Sequence, residues 1–165
     1  MASLTYHEQK DIENIKKLRG LIKELPPFCA DFFRGIEPLT STRTRIAYAY
    51  DLRIFCDFLK TSNSQVARMG ENIPLSVLEQ LTVTDLEEYM EYLKVYISEE
   101  QHKHMQNTEQ GVFRKMSALR SFYGYFYKRQ LIEKNPTLLV DMPKIREKEI
   151  IRLEADEVAS LLDFV

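Results

Sequence analysis

Six residues between positions 110 and 128 share one side of a helical wheel and one kind of chemistry. With Leu119 at the centre of the buried side and a step of about 100° per residue, Gln110, Arg114, Ser117, Ser121, Gly124 and Lys128 fall on the far side, with Tyr125 beside them. Lys115 and Arg120 flank the buried stripe. Two bases stand among serines and a glycine, and the row holds no carboxylate. Hydroxyls and cations offer donors to phosphate oxygens, and small side chains let a helix backbone come close to another surface. That composition suits a helix lying in the major groove of DNA. A second group opens another helical segment: "STRTR" sets Thr42, Arg43 and Arg45 beside the unbonded amides of a first turn, which suit a phosphate. The competing reading of both groups is a helical protein-interaction domain whose basic faces are simply solvated.

The overall charge of −2 excludes a wholly basic nucleic-acid binder, so its distribution carries the argument. Residues 40–60 hold four bases against two acids, and residues 107–136 hold six against two. Residues 61–106 between them hold three bases against eight acids. Two basic helical segments are therefore separated by acidic sequence.

Other chemistries find little support. His102 and His104 lie two apart near Glu99 and Glu100, but no cysteine joins them and the segment reads as a loop, so no metal is expected. Glu87, Glu88 and Glu91 read as a solvated helix face rather than a catalytic acid pair. A Gly-rich phosphate loop, a G-x-S-x-G elbow and a Cys/His nucleophile pair are all missing from the sequence, and no cofactor is expected. Cys29 and Cys56 lack C-x-x-C spacing and sit on apolar patterns, as buried reduced thiols of a cytoplasmic protein would. The N-terminus is polar and unlike a secretory signal, and no apolar run approaches the 18 or so residues of a membrane span.

The elements that must hold these residues are helical, with few glycines and no strand-like alternation. Residues 8–25 form an amphipathic helix with Ile12, Ile15, Leu18, Ile22 and Leu25 inward, stopped by Pro26-Pro27. Residues 28–35 form a short apolar helix. Ser41 caps a helix to Lys60 with Thr44, Tyr48, Leu52, Phe55 and Leu59 as its main buried stripe; Ile46, Tyr50 and Ile54 make a second stripe for the N-terminal helix or the "FCADFF" turn to cover. Residues 61–80 read as a long loop. Thr82 and Asp85 resemble a capping box for a helix with Leu86, Tyr89, Met90, Leu93 and Ile97 inward. Asn107 or Thr108 caps the next helix, whose stripe is Val112, Met116, Leu119, Tyr123 and Phe126, before Asn135-Pro136 breaks the chain. Residues 137–152 read as a charged linker whose Lys144, Arg146, Lys148 and Arg152 either touch phosphates or keep it soluble. Residues 153–165 begin a new helix too short to bury its apolar side, as in the N-terminal part of a longer protein.

Taken in order, these residues carry a resemblance. "S-x-x-T…Y-x-x-D-L-x-x-F-x-x-F-L" is spelled by Ser41, Thr44, Tyr48, Asp51, Leu52, Phe55, Phe58 and Leu59. "LT-x-x-D-L-x-x-Y" follows at 81–89, "R-K-M-S-A-L-R-S-F-Y-x-Y…I-x-x-N-P" at 114–136, and "P-K…R-L-x-x-x-E-V-x-x-L-L" at 143–162. Over about residues 28–162 the chain resembles the N-terminal core-binding domain of tyrosine recombinases, the phage-integrase and Xer-type family. The resemblance implies an all-α, SAM-like bundle of four to five helices, here with an extra N-terminal helix. It implies half of a clamp around double-stranded DNA at a recombination core site, with Ser41–Lys60 and Thr108–Arg129 toward the major groove. The family's catalytic half follows this domain and forms a 3′-phosphotyrosyl link without metal or high-energy cofactor. None of the nine tyrosines here is therefore expected to be the nucleophile, and the longer parent is expected to work as a tetramer on paired sites.

The expected organisation is an N-terminal helical extension at 1–38, the core-binding bundle at 39–136, a linker at 137–152 and the first helix of a catalytic domain at 153–165. The expected DNA contacts are Thr42, Arg43, Arg45, Gln110, Arg114, Lys115, Ser117, Arg120, Ser121 and Lys128.

Overall fold

A computed structural model describes residues 2–98 and 101–145. Helix α1 (Tyr6–Lys23) begins at a capping box: the Thr5 hydroxyl accepts from the Glu8 amide, and the Glu8 carboxylate accepts from the Thr5 amide. Helix α2 (Phe28–Ile36) follows Pro26-Pro27 and runs into a 3₁₀ turn at Glu37–Leu39. Helix α3 (Thr42–Ser62) starts where the Ser41 hydroxyl accepts from the Thr44 amide at 3.2 Å.

The stretch expected as a loop is largely helical. Asn63 ends α3 and caps α4 (Ser64–Met69), its side-chain oxygen accepting from the amides of Gln65 and Val66. Gly70 stops α4 at φ 60°, a conformation that disfavours residues with a Cβ. Helix α5 (Ser76–Gln80) then brings the chain back. Buried Val66, Ile73 and Leu78 pin the whole segment to the core.

Helix α6 (Val83–Lys94) begins at the Thr82–Asp85 capping box, so the aspartate fills the position usual for Glu or Gln. It stops at Lys94, where the β-branched and aromatic residues Val95, Tyr96 and Ile97 become strand β1. Strand β2 (His104–Gln106) pairs with it antiparallel, Tyr96 opposite Met105. The segment expected as a loop is thus a hairpin. Its alternation turns Tyr96 inward and leaves Ile97 58% exposed, correcting Ile97's expected place in the core. Helix α7 (Glu109–Lys128) opens on Thr108, whose hydroxyl accepts from the Gly111 amide at 3.1 Å. A 3₁₀ turn at Pro136–Leu138 follows.

Helices α3, α6 and α7 enclose one core, with α2 packed on α7 and α1 laid along α3. The all-α expectation holds: the described residues form seven α-helices and one two-stranded hairpin. Phe32, Phe55, Leu86, Tyr89, Leu93, Met116, Leu119, Phe122, Tyr123 and Phe126 are all buried. Their rings interlock edge to face, Phe32 with Phe122 at 5.1 Å and Phe55 with Tyr89 at 5.0 Å between centroids. Each such ring contributes about 1.5–3 kcal/mol by leaving water.

The second stripe of α3 is covered by α1, as its residues require. Lys17 lies over the Tyr50 ring, and Glu24 pairs with Arg53. The N-terminal half of α1 departs from expectation. Leu18 is buried, but Ile12 and Ile15 are 39% and 38% exposed. Cys29 is buried and Cys56 half-buried, both as free thiols. Burial pushes both thiols up, Cys56 to about 12, so neither is a ready nucleophile. The expected helix at 153–165, and all of the linker beyond residue 145, lie outside the described residues.

Candidate nucleic-acid interface

The outward row of α7 stands where the wheel puts it. Gln110, Arg114, Ser121 and Lys128 are exposed, and so is Arg120. Ser117 is half-buried and donates its hydroxyl back to the Phe113 carbonyl at 2.9 Å. Nothing lies within 4 Å of where a Cβ on Gly124 would stand, so the helix backbone is open there. Tyr125 belongs elsewhere: it packs on Phe32, and the Arg129 guanidinium sits 3.8 Å from its ring centroid. A Cβ on Gly35 would overlap that ring.

At the start of α3, Arg43 is exposed while Thr42 and Arg45 are half-buried. Arg45 donates from Nη2 to the Thr42 hydroxyl at 3.2 Å, holding both side chains over the first turn. The Arg45 Nε is buried without a hydrogen-bond partner. The Ser41 hydroxyl takes the Thr44 amide, and the Thr42 and Arg43 amides have no partner within their own helix, so this end combines cationic side chains with backbone donors.

The two helices meet through a buried acid that the sequence motif contains but the expected contacts leave out. Asp51 of α3 has a side chain only 4% exposed. Arg114 of α7 donates from Nη1 and Nη2 to its two oxygens, at 3.3 and 3.4 Å. Lys115 approaches the same carboxylate at 3.9 Å and donates to the Asn107 side-chain oxygen at 3.0 Å. The Asn107 amide group in turn donates to the Leu93 carbonyl at 2.8 Å, tying this cluster to the end of α6. Burial raises the Asp51 pKa, with Arg114 and Lys115 pulling the other way. Burial also lowers that of Lys115, which Asp51 opposes.

Lys115 therefore departs from its expected place among the outward donors. Its side chain is 9% exposed and its ammonium points into the bundle. The wheel explains why: Lys115 lies only about 40° from Leu119, inside the buried arc rather than at its edge. The signal for Asp51 was its place three residues after Tyr48 and four before Phe55, on the apolar stripe of α3.

The acidic cluster of α6 borders the start of α7. Glu87, Glu88 and Glu91 are exposed on α6, beside an open cleft also lined by Lys94, Glu109, Asp141 and Lys144. His102 turns the tip of the hairpin at φ 50°. Among the described residues, no three His, Cys, Asp or Glu side chains gather as a metal site. Burial pushes the hydroxyls of Tyr89 and Tyr123 up, and Tyr123 donates to the Leu78 carbonyl.

The sequence also aligns with curated proteins. It is 31% identical over 153 residues to "Tyrosine recombinase XerC" of Caldanaerobacter subterraneus subsp. tengcongensis, covering 85% of this chain and 40% of that protein. The chain belongs to the tyrosine recombinase family. Tyrosine recombinase XerC of Pediococcus pentosaceus is 32% identical over 113 residues, 68% of this chain and 31% of that recombinase. The XerC recombinase of Leptospira interrogans is 25% identical over 129 residues, 78% of this chain and 35% of its own length. The chain thus spans well under half of these tyrosine recombinases. No family profile and no solved structure matches it. Among the described residues, no helix is long and apolar enough to cross a membrane.

Proposed function

We propose that this chain is the core-site-binding bundle of a site-specific tyrosine recombinase and holds duplex DNA across α3 and α7. The observation that carries the reading is the Arg114–Asp51 bridge, which ties the outward row of α7 to α3. Thr42, Arg43 and Arg45 with the first-turn amides of α3 would take phosphates at one end. Gln110, Arg114, Ser117, Arg120, Ser121 and Lys128 would take phosphates and base edges along α7. Lys115 would act from inside, as a counter-charge to Asp51. On this reading residues 1–38 extend a bundle at 39–136, residues 137–152 link it to the catalytic part, and 153–165 open that part. The longer parent would be the enzyme, acting in the cytoplasm as a tetramer on paired sites.

Equilibrium titration of a fluorescent duplex pool of about 30 random base pairs tests the reading, since log K falls with log salt by about 0.9 per phosphate neutralised. With four or five contacts, the expected slope is about −4. A salt-independent affinity, or no binding at low salt, overturns it.

A second reading has its own support. Leu4, Tyr6, Ile12 and Ile15 leave apolar surface on and beside the first half of α1, which fits a helical protein-interaction domain. On that reading the cations of α7 are only solvated, and the same titration gives no binding.

A further inference from the structure

We propose that Asp51 is a positioning residue, which holds the Arg114 guanidinium in one orientation on the DNA face. The inference rests on the DNA-binding reading above and assigns one residue's part in it.

Asp51 is the one buried acid among the described residues. Taking a carboxylate and an ammonium out of water is costly, and an apolar pair would serve the core equally well. What an apolar pair cannot supply is direction. Arg114 donates to both Asp51 oxygens from its two terminal nitrogens, so the pair restrains the plane of its fork. Each of those nitrogens keeps a second hydrogen, and Nε keeps its own, so donors remain for a phosphate or a guanine edge. The Arg114 side chain is 56% exposed, so those donors are reachable.

The anchor is itself held. Lys115 faces Asp51 from within the bundle, its ammonium fixed by Asn107, and Asn107 is fixed by the last turn of α6. A long arginine that is already ordered loses less freedom on binding. The cluster also keeps a net positive charge, because two cations share one carboxylate.

A purely electrostatic account predicts the opposite sign for the key variant. Asp51→Asn removes a negative charge beside a polyanion, so charge alone makes binding to the random duplex pool tighter. Positioning predicts weaker binding, by about 5-fold, because ordering a freed arginine takes up binding energy. Arg114→Lys keeps the charge but cannot grip both oxygens. Charge alone predicts no change, whereas positioning predicts a loss of about the same 5-fold, and little further loss when Arg114→Lys is added to Asp51→Asn.

The titrations use the whole chain, at one low salt concentration, with melting curves as a check on folding. Weaker binding by both folded variants supports the proposal. Tighter or unchanged binding by Asp51→Asn overturns it, as does unchanged binding by Arg114→Lys. If Asp51→Asn does not fold, Arg114→Lys decides alone, since Arg114 lies outside the core. A parent chain that binds with steep salt dependence while Asp51→Asn binds tighter leaves DNA binding standing and removes only the positioning role. A parent that does not bind removes both.

Discussion

The two charged sides of this bundle are built on the same core and differ in how their charges are held. Along α7 the cations stand among serines and a glycine, and the acid nearest them, Asp51, is buried and gripped. Along α6, Glu87, Glu88 and Glu91 stand in water, with Glu87 and Glu91 one turn apart on one strip of helix. Such like-charge neighbours cost a few tenths of a kcal/mol, which the fold tolerates. The acidic side therefore keeps a repulsive cluster, while the basic side buries the acid that pairs with Arg114. A chain of net charge −2 can thus present one cationic surface, and its field favours one orientation toward a polyanion.

The largest expected effect comes from reversing the basic side. Arg114→Glu with Lys128→Glu is expected to weaken binding to a duplex by about 100-fold at low salt; because Arg114→Glu sets a second carboxylate beside buried Asp51, it is also expected to lower stability, which melting curves check. A folded double variant that binds as the parent does would break the contrast in favour of the protein-interaction reading. A smaller effect is expected at Gly124. Its Cβ position is open, so Gly124→Leu suits the helix and is expected to raise stability by up to about 1 kcal/mol. The same leucine would hold the α7 backbone away from DNA, and binding is expected to fall by about 10-fold. Unchanged affinity would remove the close approach from the account. The smallest effect is expected on the other side. Glu87→Gln with Glu88→Gln and Glu91→Gln is expected to tighten binding by less than about 3-fold, because these acids stand on α6 rather than on the helices proposed to face the phosphates.

The parts of the fold that depend on neighbours in sequence were legible in advance. Ser41, Thr108 and the Thr82–Asp85 pair declare three helix starts by their side chains, and the α7 stripe from Val112 to Phe126 repeats at helical spacing. What was hidden depends on partners far along the chain. The Ser- and Asn-rich stretch after Thr61 looked like a loop, yet Asn63 is a cap and Val66 is an anchor. Val95–Ile97 continues an apolar helical pattern, and only the pairing with His104–Gln106 turns it into a strand. Ile12 and Ile15 fit an inward stripe, but the described residues leave them exposed. For the candidate site, the outward row of α7 could be read from the wheel. The inward turn of Lys115 is on the wheel too, about 40° from Leu119; what could not be read is the acid that receives it, on another helix 64 positions earlier in the chain.

The most direct test maps the contact itself. Amide chemical shifts of the nitrogen-15-labelled chain, followed while a duplex is added at low salt, report which backbone the DNA approaches. The account predicts that shifts concentrate at Thr42–Arg45 and along Gln110–Lys128, with α6 and the hairpin nearly silent. Shifts centred on Glu87–Lys94, or on the exposed side of α1 around Ile12 and Ile15, would contradict it.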